Sequence, residues 1–151
     1  MLALERVGKT YPNGVHALDG VNFSVGPGEI LAIVGGSGCG KSTLLRAVGG
    51  LDTPSQGRVL LDDEPVTSPH EKIGIIFQEP RLLPWLSVAG NVGFGLEDRP
   101  RAERNQRVSD ALARVGLAEK AGGWPRELSG GQAQRVAIAR AGPAPAGAAA
   151  R

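Results

Sequence analysis

The spacing of apolar and polar positions changes several times along the chain. Leu2 to Val7 is short and partly alternating, and Val21, Phe23 and Val25 alternate with Asn22 and Ser24. Period two is the pattern of a half-buried strand. Tyr11-Pro12-Asn13-Gly14 and Pro27-Gly28-Glu29 carry turn residues, so the opening predicts an antiparallel β unit. Ile30-Leu31-Ala32-Ile33-Val34 then runs apolar without alternation, which predicts a strand covered on both faces in a parallel sheet. A glycine loop follows. Lys41 to Val48, with Leu44, Leu45 and Val48 on one stripe, predicts a helix. Arg58 to Leu61 and Ile73 to Gln78 predict two more strands. The stretch from Pro80 to Leu96 predicts loop with a short helix. Arg101 to Val115 predicts a helix on Val108, Leu112 and Val115, and Gln132 to Ala141 another on Val136, Ala137 and Ile138. From Ala141 to Arg151 nothing before the final arginine is larger than proline. Such a segment cannot bury apolar surface and is predicted to be a disordered tail.

Composition adds limits rather than a function. A chain of 151 residues fits one domain. Its 17 basic and 15 acidic residues nearly balance, which gives no electrostatic case for a nucleic-acid partner. The densest basic stretch, Arg99, Arg101, Arg104 and Arg107, has helical spacing and interleaved acids, the mark of a solvated helix face. The single cysteine, Cys39, allows no disulfide framework within the chain and suits a reducing cytoplasm. No signal-peptide pattern opens the sequence, and its longest apolar run, near Ile30 to Val34, is far below the ~18 residues of a spanning helix. Any membrane link is expected to come through a partner.

The chemistry concentrates in Gly35-Gly36-Ser37-Gly38-Cys39-Gly40-Lys41-Ser42, with Thr43 next. This is the phosphate-loop pattern G-x-x-x-x-G-K-[ST]. Backbone N–H groups must converge on a phosphate there, and glycines permit both the dihedral angles and the close approach. The following helix aims its N-terminal partial charge at the same anion. Lys41 is expected to reach the β- and γ-phosphates, and the Ser42 hydroxyl to ligate Mg²⁺. Cys39 occupies an unconstrained position of the loop, where its thiol is open to alkylation. The bland alternative, a chance glycine-rich turn, does not account for an apolar segment before the motif and a helix after it. By itself the loop says only nucleoside triphosphate.

Further along, Leu128-Ser129-Gly130-Gly131-Gln132 precedes a helix through Gln134, Arg135, Ala139 and Arg140. Physically this is a second glycine-bearing helix N-terminus. Ser129 can donate its hydroxyl and Gly130 and Gly131 their backbone N–H groups to an anion; the plain alternative is a serine N-cap. The full run resembles the signature motif of ABC-transporter ATPase subunits, and the likeness covers roughly residues 2 to 141. It implies that Gln78 is the glutamine that contacts Mg²⁺ and water, and that Tyr11 is the aromatic residue that stacks on adenine. Leu82-Leu83-Pro84-Trp85-Leu86-Ser87-Val88 with Asn91-Val92 is similar to the nitrate, sulfonate and taurine importer branch. In that branch this region faces the transmembrane subunit, so Pro84 and Trp85 read either as partner contacts or as part of a buried cluster.

Val59-Leu60-Leu61-Asp62-Asp63-Glu64 imitates the strand that ends in catalytic carboxylates. It lies ahead of Gln78 and the signature, where the family has a strand and turn, so Asp62, Asp63 and Glu64 are expected in an exposed turn. The family's true Walker B strand, D-loop and switch histidine follow the signature helix and have no match here. The fold class expected is therefore an α/β P-loop nucleotide-binding domain of ABC type, with an antiparallel β subdomain and a helical subdomain, missing its C-terminal part. It is expected over residues 1–140, with the tail at 141–151.

The resemblance implies ATP and Mg²⁺ as cofactors, Lys41 and Gln78 in the catalytic region, and Ser42 and Gln78 on the metal. Nucleotide contacts would come from Tyr11, residues 35–43 and residues 129–132. It also implies a transmembrane permease and a second nucleotide-binding subunit paired head to tail, on the inner face of the cell membrane. Two readings remain open: an importer ATPase, and a non-catalytic ATP-binding fragment. A small-molecule kinase, the third P-loop option, is disfavoured by the signature run and Gln78.

Overall fold

The computed structural model describes residues 1–142, which form two compact units: Met1–Ile73 and, from Gly74, the rest of the described chain. The first unit is a four-stranded sheet with one helix. Its strands are β1 (Leu2–Thr10), β2 (His16–Val25), β3 (Gln56–Leu61) and β4 (Glu64–Pro65), in the order β2-β1-β3-β4. All neighbours are antiparallel, with Leu4 opposite Phe23 on one side and Val59 on the other. Leu4, Val7, Leu18 and Val59 form the core with Leu44 and Ala47 of α1 (Lys41–Val48).

Leu4 and Val7 are three apart, and a strict period of two would put them on opposite faces. A bulge resolves this: the register of β1 shifts between Leu4 and Val7, and Arg6 takes φ 47°. Gly57 sits opposite, where a Cβ would lie 2.2 Å from the Glu5 and Arg6 carbonyl oxygens. This is why β1 alternates only in part. Asp62 and Asp63 both have positive φ, 52° and 68°, as a two-residue hairpin turn of the primed type requires. They join β3 to β4, with Leu61 opposite Glu64. The acidic run is thus an exposed turn, as the sequence predicts.

Helix α1 has the predicted bounds, but its buried face is Leu44 and Ala47, and Leu45 is exposed. The helix closes in a Schellman motif: Gly50 N–H donates to Ala47 O at 3.1 Å and Leu51 N–H to Arg46 O at 2.9 Å. Two predicted strands do not form. Ile30 to Val34 and Ile73 to Gln78 are irregular, and Ile30 and Val34 are 94% and 93% exposed. A parallel strand exists only through the ladder of a neighbour. The four-stranded sheet satisfies its ladders antiparallel and takes up neither segment.

The second unit contains α2 (Val88–Val92), α3 (Arg101–Arg114), two 3₁₀ turns (Ala118–Lys120 and Pro125–Glu127) and α4 (Gly130–Ala141). Val88, Val92, Val108, Leu112, Leu117, Val136 and Ala139 make its core. Ile138, predicted on the apolar stripe, is exposed and Ala139 is buried instead. Of the basic stretch, Arg101 is exposed and Arg99, Arg104 and Arg107 are half-buried, with Arg99 and Arg107 on either side of Glu103. Helix α4 starts two residues before the predicted Gln132, because Ser129 supplies the cap. Ala141 ends α4 and Gly142 caps it; the remainder of the predicted tail lies outside the described residues. Among the described residues no helix is long and apolar enough to cross a membrane.

Candidate functional site

In the first unit, residues 35–40 loop back on themselves before α1. Gly38 and Gly40 have φ 81° and 92°, and a Cβ on Gly40 would lie 2.2 Å from Ala17 O. Only glycine fits there. Gly40 caps α1 without a side chain, and the first turn holds no acidic residue. The leading N–H groups of the helix therefore face the loop without a protein carboxylate to answer them. Lys41 Nζ folds over the loop, donating to Gly35 O and Gly36 O, each at 2.7 Å, and lying 3.3 Å from Cys39 Sγ. An ammonium held by neutral carbonyls exchanges them readily for phosphate oxygens, which are stronger charge-assisted acceptors. Cβ positions on Gly36 and Gly38 meet nothing within 4 Å. Ser37, Cys39 and Ser42 are exposed, and Thr43 is half-buried.

The loop thus has the donors a polyphosphate needs. Among the described residues no group of three or more His, Cys, Asp or Glu stands ready for a metal. A Mg²⁺ here would rest on Ser42 and on phosphate oxygens, the usual manner of magnesium at nucleotide sites.

Tyr11 belongs to the same unit. Its hydroxyl donates to Asp52 Oδ2 at 3.2 Å and lies 3.4 Å from Thr43 Oγ1 in the first turn of α1. Lys9 Nζ pairs with Asp52 Oδ1, donates to Thr53 O at 2.7 Å and sits 5.2 Å from the Tyr11 ring centre. The Lys9 hydrogen bond, helped by the lysine's charge and the Tyr11 hydroxyl, holds the Asp52 carboxyl below its ordinary 3.8 against the opposing effect of burial. A depressed folded value adds stability above pH 3.8, and that stability is lost as the pH falls through the lowered value. Lys9→Met is accordingly expected to move acid unfolding, followed by circular dichroism, to higher pH. The shift should vanish in an Asp52→Asn background. Neither Lys9 nor Asp52 stood out in the sequence.

The second unit carries Gln78 and the signature. Gln78 is exposed, in irregular backbone. Its segment is fastened to α4: Gln134 Nε2 donates to Phe77 O at 3.2 Å, and Arg140 donates to Pro80 O and Arg81 O, both at 3.0 Å. Ser129 Oγ accepts from Gln132 N–H at 3.2 Å, and Gln132 Oε1 accepts from Ser129 N–H at 2.9 Å. This is a capping box, so the plain serine-cap alternative describes the local geometry. It does not exhaust the serine, since a hydroxyl that accepts can still donate. Gly130 and Gly131 are exposed, with no atom within 4 Å of a would-be Cβ, so an incoming group could approach their backbone.

Trp85 is 69% exposed, which excludes the buried-cluster alternative for it. The turn that presents it is built on Asn91, fully buried. Asn91 Oδ1 accepts from Leu83 N–H at 2.7 Å, and Nδ2 donates to Leu83 O, Leu86 O and Ser87 O at 3.0–3.2 Å.

A glycine loop closed by its own lysine at an uncapped helix, beside an antiparallel sheet and with a separate helical unit, defines a P-loop nucleotide-binding domain of ABC type. The chain belongs to the ABC transporter family, whose pattern matches residues 18–143. It is similar to the taurine import ATP-binding protein TauB of Chromobacterium violaceum, 49% identical over 93% of this chain and 55% of that protein. It is similar also to the methionine import ATP-binding protein MetN of Caulobacter vibrioides, 46% identical over 93% of this chain and 46% of that one. Among solved structures, the ATP-binding cassette MJ0796, a dimer in a post-hydrolysis state with ADP and Pi, superposes with TM-score 0.85 at 38% identity. That match covers 95% of this chain and 69% of the cassette. The chain spans about half the length of the curated relatives it matches.

Proposed function

We propose that this chain binds Mg²⁺–ATP. Residues 35–43 would hold the phosphates, Lys41 the β- and γ-phosphates, Ser42 the metal, and Tyr11 the base. The observation that carries the reading is the Lys41 ammonium, 2.7 Å from two loop carbonyls over the uncapped start of α1. In this reading the chain is the ATP-binding portion, residues 1–140, of an importer subunit. Gln78 contacts the metal and water, and Ser129 to Gln132 meet the nucleotide of a second subunit paired head to tail. The pairing is supported by the dimeric MJ0796 cassette, and import by the names of TauB and MetN. A transmembrane permease docks at the exposed Pro84 and Trp85 and brings the chain to the cytoplasmic face of the membrane. The cargo class is a small sulfonate or related anion, supported by the Leu83-Pro84-Trp85 likeness and by TauB.

The acidic run Asp62-Asp63-Glu64 is taken up in a hairpin turn, so the 151-residue chain alone is expected to turn over ATP no faster than background. Calorimetric titration with ATP, ADP and AMP at fixed Mg²⁺ tests the binding reading. ATP and ADP should bind and AMP much more weakly; equal affinity for all three, or none for ATP, would sink it.

A further inference from the structure

Tyr11 lies just beyond the end of β1, two residues from Lys9, whose ammonium sits 5.2 Å from its ring centre. The turn that follows is held from within, through Tyr11 N–H to Val15 O and Gly14 N–H to Tyr11 O, both at 2.9 Å, and Val15 N–H to Asn13 Oδ1 at 3.2 Å. An aromatic ring in such a turn would swing freely between rotamers, and a base that stacked on it would have to immobilise it. Here the ring is fixed beforehand. Its hydroxyl donates to Asp52 at 3.2 Å and touches Thr43 at 3.4 Å, and Lys9 covers one face at 5.2 Å. Asp52 is itself fixed by the Lys9 ammonium, which also grips Thr53 O. A base is therefore left one face of the ring, and that ring is tied to the first turn of the helix that opens at the phosphate loop.

We propose that Asp52, locked by Lys9, is a positioning residue that pre-sets the Tyr11 ring to receive the nucleobase. Asp52 touches no phosphate in this scheme. It acts on base recognition alone and through Tyr11. The inference rests on the reading of Tyr11 as the base platform.

The two claims separate when ATP is compared with inorganic tripolyphosphate, which offers the same phosphate chain and no base. With Mg²⁺ present, Asp52→Ala in the full chain is expected to weaken ATP by about tenfold, the lower range of what a base–aromatic stack is worth. Tripolyphosphate affinity should stay within about twofold, a change too small to be the loss of a contact. Tyr11→Phe, which keeps the ring and removes the hydroxyl, should show the same selectivity for ATP. The double variant should be no worse than the weaker single one, because both cut one tether. Lys9→Met frees the same carboxylate from its other side and serves if Asp52→Ala does not fold. Equal loss for both ligands would mark Asp52 as merely structural and overturn the proposal, as would no loss for either. If Tyr11→Ala loses ATP selectively while the Asp52 and Lys9 variants do not, the base platform stands and the positioning role falls. If Tyr11→Ala leaves ATP binding intact, the platform reading falls first and the positioning role with it.

Discussion

Lys41→Ala is expected to lower the affinity for ATP by roughly 10- to 150-fold. That range corresponds to the ~1.5–3 kcal/mol that a hydrogen bond to a charged group contributes. In the structure the ammonium donates to Gly35 O and Gly36 O across the mouth of the loop. It needs only to exchange one partner set for another to meet a phosphate. Both carbonyls belong to exposed glycines, so water satisfies them when the lysine is removed and the fold should keep its melting temperature within a few degrees. The effect should be specific to the length of the phosphate chain. AMP, which does not extend to the lysine in this reading, should hardly respond. Lys41→Arg should not restore binding, because a planar fork on a longer arm cannot replace a compact charge in a loop this tight. An alanine variant that bound ATP as well as the parent would remove the phosphate loop from the proposed function.

Asn91→Ala is expected to cost the second unit about 3 kcal/mol, within the range for stripping partners from buried polar groups. All four hydrogen bonds of the side chain go to backbone of residues 83–87. Its removal strips the Leu83 N–H and the Leu86 carbonyl of their partner, while Leu83 O keeps the Leu86 N–H and Ser87 O the Asn91 N–H. A urea unfolding curve of the full chain should show the loss in its midpoint. The turn that carries Trp85 should also become susceptible to limited proteolysis ahead of the rest. Asn91→Asp tests the same point with nearly unchanged volume. It keeps the acceptor for Leu83 N–H and replaces the donors with oxygen against oxygen, so it should be at least as damaging. Loss of stability below about 1 kcal/mol in both variants, near the average for any substitution, would mean that the turn does not depend on this side chain.

What the sequence makes legible here is what local chemistry dictates. Gly35 to Ser42 must look as it does for any loop that wraps an anion, and α1 begins and ends where the pattern places it. The run from Ser129 to Arg140 announces a capped helix for the same reason. The failures are facts about partners. Ile30 to Val34 has every local mark of a buried strand, but a strand is a relation between two segments, and no ladder among the described residues includes it. The bulge at Arg6 answers a glycine, Gly57, on another strand. Lys9 finds Asp52 across 43 residues of chain, and neither has a motif to betray it. Asn91 looks like any polar residue near a helix end until the turn it organises is seen around it.

Helix α4 has one more implication. Its N-terminal end is the signature segment, and along its length Gln134 and Arg140 hold the backbone of Phe77, Pro80 and Arg81. Twelve residues of helix make a rod of about 18 Å, and such a rod turns as one piece far more easily than it bends. The stretch around Gln78 and the glycines at 130 and 131 are some fifty residues apart along the chain, yet both are anchored on this one helix.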